Sequence, residues 1–133
     1  MLSLAALLAG IAFGHPATTG SHACSFPLTN RYMVPHGEAC AFTLDSFCRI
    51  NAASDDGRIL KFANYCGFAT IDALADGIAA LKKRIGLRTT LREIGVPDEE
   101  IPELAKLSMH PNMLNNPVPM TVEAVEAMYQ RLK

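Results

Sequence analysis

Residues 70–86 constrain the fold of this chain more than any other stretch. Ile71, Leu74, Ile78, Leu81 and Ile85 recur at helical spacing. Thr70 stands where an N-cap belongs, and its hydroxyl can accept a free backbone N–H. Asp72 and Asp76 lie early and Lys82, Lys83 and Arg84 late, which suits the helix dipole. Gly86 closes the segment. A chain built around such a helix must cover its apolar stripe with other elements, and the rest of the sequence supplies helices.

Residues 1–13 are rich in Leu and Ala and apolar on nearly every side, so a helix there is expected to be buried all round. His15-Pro16 should end it. A short helix is expected around residues 21–28, followed by a turn. Pro35 fits the first position of a helix running to about Ile50. Asp55 and Asp56 precede a helix over residues 57–65, stopped by Gly67. Thr90-x-x-Glu93 reads as a capping box for a brief turn ended by Gly95. Asp98 can cap residues 99–109. Pro111 and Asn115-Asn116-Pro117 make a loop, and Thr121 caps a last helix. No run alternates convincingly enough for a strand. The predicted class is therefore all-α, a helical bundle forming one domain over residues 1–133.

Composition removes several functions. Half of the 133 residues are hydrophobic, 19% are charged and the net charge is −1. Without a basic stripe to neutralise phosphates, nucleic-acid binding is not expected. The apolar start is too short to span a bilayer. It resembles a signal-peptide core but carries no Lys or Arg before Arg31. A buried helix of a larger fold explains it as well, and a cytoplasmic location is expected. The four cysteines, at 24, 40, 48 and 66, are an even count that would suit two disulfides. A chain of this length builds a core without them, and the expectation is reduced, buried thiols.

Four histidines remain: 15, 22, 36 and 110. His15 and His110 each precede a proline and read as helix-end residues. His22 and His36 are fourteen residues apart, about 21 Å on a straight helix. Two ligands of one metal need ring nitrogens about 3 Å apart. The pair can share a metal only if the chain bends, and Thr29, Asn30 and Pro35 can supply the bend. Ordinary loop and cap roles remain open for both. A rival constellation pairs His22-x-Cys24 with His36-x-x-x-Cys40 as two-His, two-Cys zinc ligands. His36 and Cys40 would share a helix face, whereas Cys24 would point away from His22.

The wording around the pair narrows this. LAGIAF, a small-residue turn, His22-Ala23 and then Pro35-His36-Gly37-x-Ala39 resemble the long signature of iron-containing (group III) alcohol dehydrogenases. LRTTLREIGVP at residues 87–97 and NPVPMT at residues 116–121 resemble that family's later segments. The resemblance implies part of an all-helical C-terminal domain with a dehydroquinate synthase-like fold. It implies His22 and His36 as two of four metal ligands, to iron or sometimes zinc, with an Asp and a His supplied from upstream. The metal would act as a Lewis acid on the substrate oxygen while NAD(P) exchanges hydride, interconverting an alcohol with an aldehyde or ketone. The family usually has a proton-relaying histidine near the nicotinamide, four residues after the first ligand. Here that position, assigned to cofactor binding, is Phe26, which cannot relay a proton. The TT-x-x-H-A-x-S wording is most similar to phosphonoacetaldehyde-reductase-type members, a hint of an acidic aldehyde substrate.

No Gly-rich phosphate loop is present, so the nucleotide-binding domain is expected to be absent from these residues. The segment alone is expected to be inactive, and whether it counts as an enzyme stays open. Its apolar first helix is expected to drive self-association. The alternative is a helical metal-binding or interaction module without catalysis.

Overall fold

The computed structural model describes residues 1–14 and 17–133. Helices and short 3-10 turns account for all regular structure among them. The helices are α1 (Leu2–Phe13), α2 (Gly20–Tyr32), α3 (His36–Phe42), α4 (Leu44–Asn51), α5 (Arg58–Tyr65), α6 (Ile71–Arg84), α7 (Leu91–Ile94), α8 (Ile101–Leu107) and α9 (Val122–Gln130).

The caps read from sequence are largely in place. Thr70 Oγ1 accepts from Ala73 N at 3.0 Å. Thr121 Oγ1 accepts from Ala124 N at 3.2 Å. Thr90 and Glu93 close a full capping box around α7. Ahead of α5, Gly57 stands at the N-cap without a side-chain bond, and Asp55 from further upstream accepts from Ile59 N at 2.9 Å. Asp98 does not cap: a 3-10 turn over Asp98–Glu100 precedes α8, and the Asp98 carboxylate pairs with Lys133 at 3.0 Å.

The core forms where α2 lies against α3 and α8, and α8 against α9. Leu28, Val34, Phe42, Leu91, Ile101, Leu104, Val125 and Tyr129 are fully enclosed there. At its centre the Tyr129 hydroxyl meets Ser108 Oγ at 2.8 Å, so a buried phenol keeps a polar partner. A second layer packs α4 on α6. Arg49 spans that seam to Asp72 and Asp76 at 2.9 and 2.6 Å. Lys82, expected on the solvated end of α6, is instead buried, pairing with Asp45 and donating to the Phe42 carbonyl at 2.8 Å. Only Leu74 of the apolar stripe on α6 is buried, while Leu81 and Ile85 remain exposed.

Three expectations need correction. The helix expected over residues 21–28 extends through Pro27 to Tyr32, and the bend falls at Met33, whose φ of 54° is left-handed. Thr29 and Asn30 are helical. One missing donor at Pro27 is tolerated because tertiary packing holds the helix on both sides. The helix expected from Pro35 to Ile50 is two, broken at the buried Thr43. Finally, no residue of α1 is buried: Leu2, Leu4, Leu7, Leu8, Ile11 and Phe13 are all exposed. Its uniform apolarity offers no face that selects a partner among the described elements. The expected stop at His15-Pro16 lies outside the described residues.

Among the described residues no helix is long and apolar enough to cross a membrane. The four cysteines are free thiols: Cys24 is buried, Cys40 and Cys48 half-buried, and Cys66 exposed rather than buried.

Candidate metal centre

His22 sits in the first turn of α2 and His36 opens α3. The chain between them reverses through Met33, where Val34 N bonds the Leu28 carbonyl at 3.3 Å. The two ring Nε2 atoms consequently face each other at 3.2 Å. The rings stand edge to face, with centroids 4.8 Å apart. With metal–nitrogen bonds near 2.1 Å, that separation corresponds to an angle of about 100° at a shared ion. The donor set therefore fits a metal in both distance and chemistry. Burial holds the His22 pKa below its ordinary value, with further depression from the nearby His36 and His110 rings. A neutral imidazole, with a free lone pair, is the form that binds metal.

The backbone around this pair is tied down. Ser21 Oγ donates to the Cys40 carbonyl at 2.8 Å, locking α2 to α3 beside the rings. Ser25 Oγ donates to the His22 carbonyl at 2.6 Å. Asn112 Nδ2 donates to Thr18 Oγ1 at 2.7 Å, and Asn115 Nδ2 to the Thr18 carbonyl at 3.1 Å, fastening the late loop to the entry of α2.

Phe26, one turn after His22, packs its edge on that ring and stacks near His36, with centroids 5.7 and 6.1 Å away. His110 lies on Phe26 at 4.4 Å. Its Nδ1 accepts from Asn112 N at 3.2 Å and caps the 3-10 turn over Pro111–Asn115. His110 is thus a helix-end residue, as expected, and also a member of the aromatic cluster, which spacing could not reveal. His15 lies outside the described residues.

The zinc constellation of two His and two Cys does not assemble. Cys24 points into the core beside Tyr129 and Ser108, and burial pushes its thiol up to about 11. Residues i and i+2 of a helix face different ways. Cys40 does join the pair: its Sγ lies 3.5 Å from His22 Nδ1 and 3.6 Å from His36 Nε2.

Comparison with protein families matches residues 1–132 to "Fe-containing alcohol dehydrogenase family, C-terminal". The 4-hydroxybutyrate dehydrogenase of Clostridium kluyveri is 32% identical across 93% of this chain and 35% of its own length. The 1,3-propanediol dehydrogenase of Klebsiella pneumoniae is 29% identical across 98% of this chain and 36% of its own. Among solved structures, a sulfoacetaldehyde reductase from Bifidobacterium kashiwanohense, in complex with NAD+, superposes with a TM-score of 0.87 at 52% identity, covering 93% of this chain and 33% of that one. The chain therefore spans about a third of the length of these relatives. The family match along nearly its whole length, the all-α architecture and the relatives agree: this chain belongs to the iron-containing alcohol dehydrogenase family, as its C-terminal domain.

Proposed function

We propose that this segment supplies two metal ligands, His22 and His36, to an NAD(P)-dependent alcohol dehydrogenase or aldehyde reductase. The metal is iron, or zinc in its place, and two further ligands come from residues outside this segment. The observation that carries the reading is the 3.2 Å approach of the two Nε2 atoms across a bend held by α2 and α3. A metal bound there supplies Lewis acidity to the substrate oxygen. The chain's own residues orient that site. Ser21 fixes the separation of the two helices that carry the histidines. Phe26 presents an apolar ring on the coenzyme side, excluding water beside the reacting carbon without carrying a proton.

The substrate in this reading is a small aldehyde bearing an anionic group. Its support is the 52% identity to a sulfoacetaldehyde reductase and the TT-x-x-H-A-x-S wording. The cavity beside His22, lined by Thr18, Thr19, Ser21, Gly37 and Cys40 among others, has no carboxylate among its described lining residues to repel an anion. The segment by itself turns nothing over, because hydride transfer needs a coenzyme site that these residues do not build. Free thiols accord with the cytoplasm as its compartment, and the exposed α1 favours self-association.

The test uses a longer protein that contains this segment, assayed by coenzyme absorbance with sulfoacetaldehyde and with propionaldehyde. A higher kcat/KM for the sulfonated aldehyde is expected, and H22A or H36A should lose at least about 10²-fold together with bound metal. Equal or better turnover of propionaldehyde would sink the acidic-substrate reading. Full activity in H22A would sink the metal assignment.

A further inference from the structure

The cavity beside His22 is apolar over much of its wall, through Phe13, Ala41 and Leu44. Its polar side chains are few, so each can be given a role. His22 belongs to the histidine pair. The Cys40 thiol, a weak donor, faces the two imidazoles at 3.5 and 3.6 Å. The Ser21 hydroxyl is spent on the Cys40 carbonyl. Thr18 and Thr19 remain. Thr19 is the N-cap residue of α2, and its side chain makes no cap bond. Thr18 is the one fixed in place, and a distant loop fixes it. Asn112 Nδ2 donates to Thr18 Oγ1 at 2.7 Å and Asn115 Nδ2 to the Thr18 carbonyl at 3.1 Å, from 94 and 97 positions along the chain. Asn112 is anchored in turn: its backbone N–H donates to His110 Nδ1 at 3.2 Å, and the His110 ring lies on Phe26. One loop therefore holds both Thr18 and the aromatic ring beside the histidine pair.

A hydroxyl that accepts from an amide keeps its own O–H to give, and the accepted bond polarises that O–H into a better donor. Among the described residues nothing accepts from the Thr18 O–H. No Lys, Arg, Asp or Glu is among the described lining residues. A set of neutral donors suits an anion with a single charge spread over several oxygens. A second charge would enter this wall without a cation to offset its lost hydration. We infer that Thr18, held by Asn112, donates to the sulfonate of the substrate and selects a sulfonated aldehyde over a neutral one and over a phosphonate. Thr18 is the residue that touches the anion, and Asn112 is a positioning residue that acts through it. The inference rests on the reading of this site as that of a reductase for small anionic aldehydes, and it adds the donor and the kind of anion.

Ethanesulfonate is the probe, because it carries the anion and has no carbonyl. It is used as an inhibitor of propionaldehyde reduction by a longer protein that contains this segment, at constant ionic strength. The parent should be inhibited competitively with the aldehyde, and more strongly than by ethylphosphonate at a pH where the phosphonate is doubly ionised. T18V keeps the shape and removes the hydroxyl, so its Ki for ethanesulfonate should rise at least about tenfold, as for the loss of a hydrogen bond to a charged group. T18S keeps the hydroxyl and should stay near the parent. N112D puts an acceptor and a negative charge against the Thr18 hydroxyl and should raise Ki at least as far as T18V. In T18V and N112D the KM for sulfoacetaldehyde should rise more than kcat falls, and bound metal should match the parent. A T18V protein inhibited as strongly as the parent, or a T18S protein inhibited as weakly as T18V, overturns the role of Thr18. Loss of metal from T18V overturns it too, making Thr18 a support of the histidine pair. Tighter inhibition by the phosphonate overturns the choice of anion. A parent that ethanesulfonate does not inhibit overturns the whole inference. The wider substrate reading is judged separately, by the kcat/KM of the parent for sulfoacetaldehyde against propionaldehyde.

Discussion

Gly20 is the position where a single methyl group should be felt most directly beside the histidine pair. It is buried at the start of α2, two residues before His22. A Cβ built there would come within 2.9 Å of three Phe47 ring carbons, whereas ordinary contacts begin near 3.4 Å. Phe47 is only 3% exposed and belongs to the core, so its ring cannot swing into solvent. G20A must therefore push α4 away from α2 or distort one of them. Overpacking of this kind costs about 1–3 kcal/mol. Alanine recovers about 0.5–1 kcal/mol of backbone entropy relative to glycine. The net is a loss of about 0.5–2 kcal/mol, which for a chain of this length lowers Tm by about 2–7 °C. Urea unfolding followed by far-ultraviolet circular dichroism measures it. F47L in the same background should restore part of the loss, with a coupling above about 0.5 kcal/mol in the double-mutant cycle. A G20A chain as stable as the parent, or a pair of substitutions whose effects simply add, would refute the packing argument.

Three further outcomes follow from other sites. K82M leaves Asp45 and the Phe42 carbonyl without their buried cation and should cost about 3 kcal/mol by the same unfolding assay; a neutral result would show that the pair is dispensable. Glu38 accepts from Arg88 Nε and Nη2 at 2.8 and 2.9 Å, and chiefly that side-chain pairing holds its carboxyl below the ordinary value of 4.5. A depressed folded-state pKa means the stabilisation is full above 4.5 and is lost as pH falls through the lower folded value; stability-against-pH curves should therefore flatten in that acid range for E38Q, and an unchanged acid slope would count against it. Charge placed on α1, as in L7E with I11E, should turn an associating chain into a monodisperse one by light scattering, because those side chains are exposed and apolar; an already monodisperse parent would remove the premise.

Local chemistry was legible residue by residue. Thr70, Thr90 with Glu93, and Thr121 cap their helices because each bond closes within three or four positions of the chain. The burial of Lys82 was not legible, since its partners Asp45 and Phe42 lie 37 and 40 positions away. His110 joins the Phe26 cluster for a similar reason: the loop carrying it is tied to Thr18, more than ninety positions earlier.

The histidine pair shows where that division falls. Residue types and wording around His22 and His36 identified the family and singled out both as candidate ligands. The distance between their nitrogens depended on a left-handed turn at Met33, the Ser21 bond to α3 and the packing that carries α2 through Pro27. Caps and periodicity express free energies contained within one or two helical turns, so they survive in a one-dimensional string. The meeting of His22, His36 and Cys40 is a balance of contacts between elements, and only the assembled helices decide it.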